Sequence, residues 1–129
     1  MAAERVVSVQ WLAVGGGAAL GAWARWGLGI ALNASILPLG TLIANLGGGL
    51  LMGMAIAYFA STSAQDTTRL LVMTGFLGGL TTFSAFSAEA FNFLQKQQYA
   101  WAAAHISSHV VGSLLMTALG FMLVNYLRN

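Results

Sequence analysis

The chain has 129 residues, of which 58% are hydrophobic and 6% charged, with a formal net charge of +2, 16 glycines and no cysteine. Soluble domains carry about 25% charged residues, so this composition, with a mean hydropathy of +0.78, excludes one and points to a polytopic membrane protein. The small, scattered charge excludes the clustered basic face that nucleic-acid binding needs, and the absence of cysteine excludes disulfides and thiolate metal sites.

Four apolar segments follow in chain order, about Val9 to Leu32, Thr41 to Ala60, Arg69 to Leu94 and Tyr99 to Tyr126. Each is near or above the roughly 20 residues that cross a bilayer. Their connectors are short: Asn33 to Gly40 holds the only proline, Pro38; Ser61 to Thr68 is a polar turn; Gln95 to Gln98 is a tight hairpin. Residues 1–129 therefore read as one all-α unit of four transmembrane helices, multi-pass in the cell (inner) membrane, with no soluble domain, low-complexity tract or internal repeat. Met1 to Ser8 lead into a long glycine-rich helix without a cleavage site after a short apolar core, so the first segment reads as a retained span.

Four spans place Arg5, Arg69 and Arg128 on one side, and Lys96 and Arg25 on the other. Three against two is a small bias under the positive-inside rule. It allows one fixed orientation, and it equally allows insertion both ways round, which would permit an antiparallel dimer.

In the first span Gly17, Gly21, Arg25 and Gly29 recur every four residues, and in the second Thr41, Asn45, Gly49 and Gly53 do the same. A four-residue step advances about 40° around a helix, so each set forms a slowly winding seam along which backbones can approach closely. The glycines need no role beyond packing. Arg25 and Asn45 are polar groups at depth and require water or partners: Arg25 by snorkelling, structural pairing or lining a vestibule, Asn45 by cross-helix bonding or by donating to an anion.

The third span contains the segment in greatest conflict with a regular helix. Gly75-Phe76-Leu77-Gly78-Gly79-Leu80 runs into Thr81-Thr82-Phe83-Ser84-Ala85-Phe86-Ser87-Ala88-Glu89, helix-weakening glycines followed by hydroxyls and phenylalanines. Non-helical backbone is tolerated at membrane depth where it lines a cavity, is buried in protein or holds an ion, so a break in the third helix is expected here. Phe83 and Phe86, three residues apart, share a face. Hydroxyls and the positive edges of phenyl rings attract an anion without a full charge, and unwound carbonyls at Gly78, Gly79 and Thr81 could ligate a hard cation such as Na⁺. Aromatic residues at this spacing are also ordinary core.

The fourth span carries His105, His109, Ser113 and Thr117 at four-residue spacing, a track that winds about 120° along the helix. Histidines so spaced can bind a metal, yet in the sequence no Glu or Asp lies beside them and no H-E-x-x-H is present. Ser and Thr in membrane helices commonly bond their own backbone four residues back.

The run Gly78 to Glu89 resembles the signature of the Fluc family of small fluoride channels. Asn45 within Gly40-Thr41-Leu42-Ile43-Ala44-Asn45-Leu46, Gly21-Ala22-Trp23-Ala24-Arg25-Trp26 and Gly112-Ser113-Leu114-Leu115-Met116-Thr117 match in order, so the resemblance covers essentially the whole chain. It implies a dual-topology antiparallel homodimer in the lipid bilayer, with two fluoride pores and a central structural Na⁺. By match to the motif, Phe83 and Phe86 would be pore phenylalanines, Asn45 would donate to the ion, and Ser113 and Thr117 would belong to a polar track continued by His109 and His105. The backbone carbonyls of Gly78 and Thr81 would hold Na⁺, while Arg25 and Glu89 would sit near the vestibules. Family members often have tyrosine or a hydroxyl residue where His105 and His109 fall.

The chemistry fits that implication. Fluoride is strongly hydrated, so a selective pore must replace water by several donors without a fixed charge that would trap the ion. No catalytic nucleophile or cofactor motif is called for, and the chain reads as a channel rather than an enzyme, letting fluoride leave the cytoplasm passively. A proton-coupled exporter of the four-helix multidrug type is the alternative; it would want a carboxylate near the middle of the first span, where there is none. A non-transporting scaffold would explain the glycine seams but not the hydroxyl-aromatic run.

Overall fold

The computed structural model describes residues 2–34, 36–62 and 66–129. Met1, Ser35 and residues 63–65 lie outside the described residues, and with them parts of the expected start and of the first two connectors. The regular elements among the described residues are all helices: α1 (Ala2–Leu32), α2 (Leu39–Ala60), α3 (Asp66–Arg69), a π-helical stretch (Leu70–Leu77), α4 (Gly78–Leu80), α5 (Phe83–Gln95) and α6 (Tyr99–Arg128). Four helical segments, Glu4–Leu32, Leu39–Ala60, Asp66–Gln95 and Tyr99–Arg128, are long and apolar enough to cross a membrane. The expected spans are thus present, with α1 beginning earlier than Val9 and the third segment already helical from Asp66, inside the predicted turn.

The spans pair in a definite register. Rising positions on α1 meet rising positions on the third segment, Gly17 against Leu71 and Phe76, then Gly21 against Gly79 and Leu80. In the same parallel sense α2 runs along α6, with Gly49 against Ser113, Gly53 against Thr117 and Gly120 against Leu50. The seams that the sequence marks are therefore packing surfaces. A Cβ on Gly21 would collide with main chain of Phe76 and Leu80, and one on Gly53 with main chain of Thr117, so backbone occupies the space a side chain would need. Between the two pairs, Ala44, Ala55, Phe59, Leu77 and Leu80 form the buried core. Many large apolar side chains elsewhere are exposed, among them Trp11, Trp23, Trp26, Leu114 and Tyr126, as expected of a surface that faces lipid or another subunit.

α5 and α6 form an antiparallel hairpin closed by a Schellman turn. Gln98 N–H donates to Phe93 O at 2.9 Å and Gln97 N–H to Leu94 O at 3.0 Å, with Gln97 at φ 56°. At the other end, Asn33 Oδ1 accepts from Gly40 N–H at 2.7 Å and ties the end of α1 to the start of α2.

Candidate functional site

Helical geometry is interrupted between α4 and α5. Thr81 (φ −80°, ψ 154°) and Thr82 (φ −150°, ψ 121°) are extended, while Gly78, with φ −64° and ψ −35°, is helical. The expectation of unwound backbone at Gly78 and Gly79 is therefore corrected: both glycines belong to α4, and the extended pair is the two threonines after them. Gly79 serves contact with α1 instead, since a Cβ on it would meet main chain of Ala18.

Two extended residues leave main-chain groups without ladder partners, and the surroundings supply them. Asn45 of α2 presents its amide edge-on to Thr82: Thr82 N–H donates to Asn45 Oδ1 at 2.7 Å, and Asn45 Nδ2 donates to Thr82 O at 3.0 Å. The side-chain amide takes the place of a peptide group. Each such bond contributes about 0.5–1.5 kcal/mol net, and leaving either group unpaired in an apolar surrounding costs about 1–3 kcal/mol. Thr82 then starts α5 as its N-cap, its Oγ1 accepting from Ala85 N–H at 3.1 Å. Thr81 Oγ1 donates back to Leu77 O at 2.8 Å, and Arg25 Nε donates to Gly79 O at 3.2 Å, so a cation closes the α4 end. Of the roles open to Arg25, the structure thus shows pairing with main chain.

Asn45 also faces α6. Its Nδ2 lies 3.0 Å from His109 Nδ1, and from there a row of aromatic and ionisable groups runs toward the α5–α6 turn. The ring of His109 lies 4.4 Å from that of His105, and Phe86 packs on both, at 4.9 Å from His109 and 5.6 Å from His105. Phe93 closes the far side of His105 at 5.6 Å. Both histidines are buried. His105 Nε2 stands 3.4 Å from Glu89 Oε2, and Thr41 Oγ1 donates to Glu89 Oε1 at 2.6 Å. A carboxylate therefore does lie beside the histidines, contributed by α5 rather than by their own helix, and one ligand atom from each of Glu89, His105 and His109 lies within 4.8 Å of the others.

Open space flanks this row at both ends. A cavity of about 380 Å³ is lined by Asn45, Thr81, Thr82, Phe83, Phe86, His109 and Ser113, and one of about 460 Å³ by Glu89, Asn92, Phe93, Lys96 and Trp101. Of the residues singled out from the sequence, the first brings together Asn45, Thr81, Phe83, Phe86, His109 and Ser113. Glu89 lies at the second, beside the turn. Phe83 and Phe86 contact each other edge to face at 5.3 Å, yet Phe86 is buried and Phe83 is 78% exposed in the single chain. Thr117 is apart from both cavities: its hydroxyl donates to Ser113 O at 2.9 Å, the local bond that such residues commonly make. Sequence reasoning missed the Thr41–Glu89 bond and the tie of Asn45 to Thr82. The signal available for the first was the four-residue step from Asn45 back to Thr41, which puts both on the α2 face turned to α5.

With this geometry established, comparison with known proteins is decisive. Residues 12–121 match the family model described as CrcB-like protein, Camphor Resistance (CrcB). The chain belongs to the CrcB-like family. It is 57% identical over 118 residues to the fluoride-specific ion channel FluC of Nitrosospira multiformis, covering 89% of this chain and 92% of that protein. It is 55% identical over 119 residues to the protein of the same name from Pseudomonas aeruginosa, covering 90% and 94%. The fluoride-specific ion channel FluC of Aromatoleum aromaticum is 55% identical over 113 residues, covering 85% of this chain and 86% of that protein.

Proposed function

We propose that this protein is a multi-pass membrane channel that passes fluoride selectively and lets it leave the cytoplasm passively. The observation that carries the reading is the cavity where Asn45, Thr82, Phe86, His109 and Ser113 meet, in a chain whose relatives over nearly its full length are named fluoride-specific channels. Its polar groups are hydroxyl, amide and imidazole, set among the rings of Phe83 and Phe86 and the aliphatic Val110 and Leu114, with no lysine or arginine among them. Such a lining offers donors to a small hydrated anion without a charge that would hold it. The fluoride pathway in this reading runs by Asn45, Phe83, Phe86, Ser113, His109 and His105, with Thr117 supporting it through the Ser113 carbonyl, and Glu89 and Arg25 stand toward the aqueous ends.

The finer arrangement belongs to the same proposal. The extended residues Thr81 and Thr82 act as the break in the third membrane helix, and two copies in opposite orientations complete two pores as an antiparallel homodimer. The exposure of Phe83 supports this, since a ring positioned beside Phe86 and uncovered by its own chain is available to a second copy. The donor set also suits a structural Na⁺ at the dimer centre. In an uninterrupted helix Thr82 N–H would bond Gly78 O; here it goes to Asn45, and Thr81 O leaves helical direction. Gly78 O and Thr81 O are hard oxygen ligands of the kind such a cation takes, and paired copies would present them twice. When bound, the ion would supply a fixed charge that joins the two α4 ends.

Reconstitution into proteoliposomes read by a fluoride electrode tests the function. Rapid fluoride efflux without a proton gradient, and little chloride flux, is expected. Equal chloride flux overturns the selectivity, and strict dependence on an imposed proton gradient favours the exporter, for which Glu89 would be the embedded carboxylate.

A further inference from the structure

We infer that Asn45 acts on the anion indirectly: it fixes the tautomer of His109, and the Nε2–H of His109 is the donor presented to fluoride between the two cavities. The inference rests on the channel reading for the identity of the anion, and on geometry alone for the tautomer.

Thr82 orients the Asn45 amide. Its N–H can only donate, so the Asn45 atom 2.7 Å away is the carbonyl oxygen; its carbonyl can only accept, so the atom at 3.0 Å is the amide nitrogen. The orientation of the amide is therefore set by main chain and not by choice. The same Nδ2 is the atom 3.0 Å from His109 Nδ1. An amide nitrogen cannot accept, so His109 Nδ1 must, and in neutral His109 the proton sits on Nε2. Both hydrogens of Asn45 Nδ2 are now committed, one to Thr82 O and one to His109. Asn45 keeps no donor for an ion.

His109 does. Its Nε2 is buried and has no hydrogen-bond partner among the described residues, and a donor orphaned in this way calls for an acceptor. Phe86 stacked at 4.9 Å holds the ring in place, and His109 itself lines the cavity of about 380 Å³. The ionisable groups facing it are His105 and Glu89. Thr41 donates to Glu89 Oε1, while Glu89 Oε2, 3.4 Å from His105 Nε2, has no hydrogen-bond partner among the described residues.

The tautomer also decides which ligand this cluster takes. Glu89, His105 and His109 have ligand atoms within 4.8 Å of one another, a grouping that could hold a transition metal. A metal held through Nε2 would need that lone pair, hence the proton on Nδ1, where it would point at the Asn45 N–H group. Asn45 thereby selects against the cation and for the anion. Asn45 is a positioning residue; His109 is the group that touches the ion.

The test is ¹⁵N magnetic resonance of histidine-labelled, tag-free protein, with the His109 signals assigned by their loss in His109→Gln. Wild type is expected to show the Nε2–H tautomer, with fluoride shifting the Nε2–H resonance and an equal concentration of chloride leaving it in place. In Asn45→Asp a carboxylate oxygen accepts from Nδ1–H, so the proton moves to Nδ1 and the fluoride response disappears. Fluoride flux supplies the second readout: Asn45→Asp should lose about tenfold or more where His109 is present, the effect of one hydrogen bond to a charged group. On the His109→Gln background, whose amide can turn a donor inward whatever Asn45 does, the same change should cost clearly less. A Nδ1–H or mixed tautomer in wild type overturns the inference, as does a fluoride-insensitive Nε2–H or an equal loss on both backgrounds. The wild-type spectrum decides even if a variant fails to fold. Wild-type protein that conducts fluoride but shows the wrong tautomer sinks this inference alone; protein with the right tautomer and no fluoride flux sinks the channel reading instead.

Discussion

The third segment meets its neighbours through two interfaces built on opposite principles. Toward α1, the π-helical stretch and α4 are joined almost entirely by glycine and main chain: Gly75 and Gly79 lie against Val14 and Ala18, and Gly17 and Gly21 return the contact. Toward α6, α5 presents Phe86, Glu89 and Phe93 to His105 and His109, side chains whose polar atoms find partners only in part. Apart from Arg25, whose Nε donates to Gly79 O, the first surface offers little side-chain chemistry and is limited by how closely backbones approach. The second is spaced apart by rings, and space between rings is where an ion can go. Asn45 stands at the junction, bonded to Thr82 where the segment passes from one interface to the other.

Breaking that junction carries the largest expected effect. In Asn45→Leu, Thr82 N–H and Thr82 O both lose their partner, a cost of about 1–3 kcal/mol for each group left unpaired. The expected result is a clearly lower melting temperature in detergent and fluoride efflux reduced to background. A melting temperature within error of wild type would show that something other than Asn45 holds the extended residues.

The glycine interface is sharpened by a contrast within α1. Gly21→Leu forces a side chain into main chain of the third segment and should destabilise by about 1–3 kcal/mol or more, through overpacking. Gly16→Ala, on the same helix with open space around it, should instead be neutral or stabilising by up to about 1 kcal/mol, because alanine gives up less backbone freedom. Thermal unfolding of the two side by side decides it; similar shifts for both would mean that α1 is not seated as described.

The ring interface divides in the same way. Phe86 packs on both histidines, so Phe86→Ile should lose about 0.5–1.5 kcal/mol per aromatic pair as well as fluoride flux. Phe83 touches only Phe86 among these rings and is largely exposed, so Phe83→Ile should reduce flux while leaving the melting temperature of the protein nearly unchanged. Wild-type flux in Phe83→Ile would remove that ring from the pathway.

The two interfaces were unequally legible in the sequence. Glycine recurring every four residues reads directly as a close-packed seam, and Gly17, Gly21, Gly49 and Gly53 do pack so, because nothing but backbone spacing is involved. The hydroxyl-aromatic run includes Thr81 and Thr82, the two residues with extended backbone. The sequence pointed to Gly78 and Gly79 together with Thr81, and only Thr81 of these is extended, since propensity marks where a helix is weak, whereas Asn45 pairs with the main chain of Thr82. The cluster of Glu89 with His105 and His109 was not legible at all. It depends on the register between α5 and α6, which a turn sets and no periodicity within either helix records.

That turn gives the smallest expected effect and the most selective probe of the ring interface. Gln97 occupies left-handed backbone at φ 56°, a conformation that costs a residue with a side chain about 1–2 kcal/mol and glycine almost nothing. Glycine also has more freedom to lose on folding, so the net gain from Gln97→Gly is about 0.5–1 kcal/mol, an upward shift of a few degrees in melting temperature. The Gln98-to-Phe93 and Gln97-to-Leu94 hydrogen bonds are made by main chain and survive the change, so the register of α5 on α6 and the fluoride flux should both stay as they are. Gln97→Pro serves as the opposite case: its ring fixes φ near −65° and removes the N–H that bonds Leu94 O, so the turn cannot close. A stabilised Gln97→Gly beside a Gln97→Pro that loses flux would place the alignment of Phe86, Glu89 and the two histidines under the control of this one turn; equal behaviour of the two variants would take that control away from it.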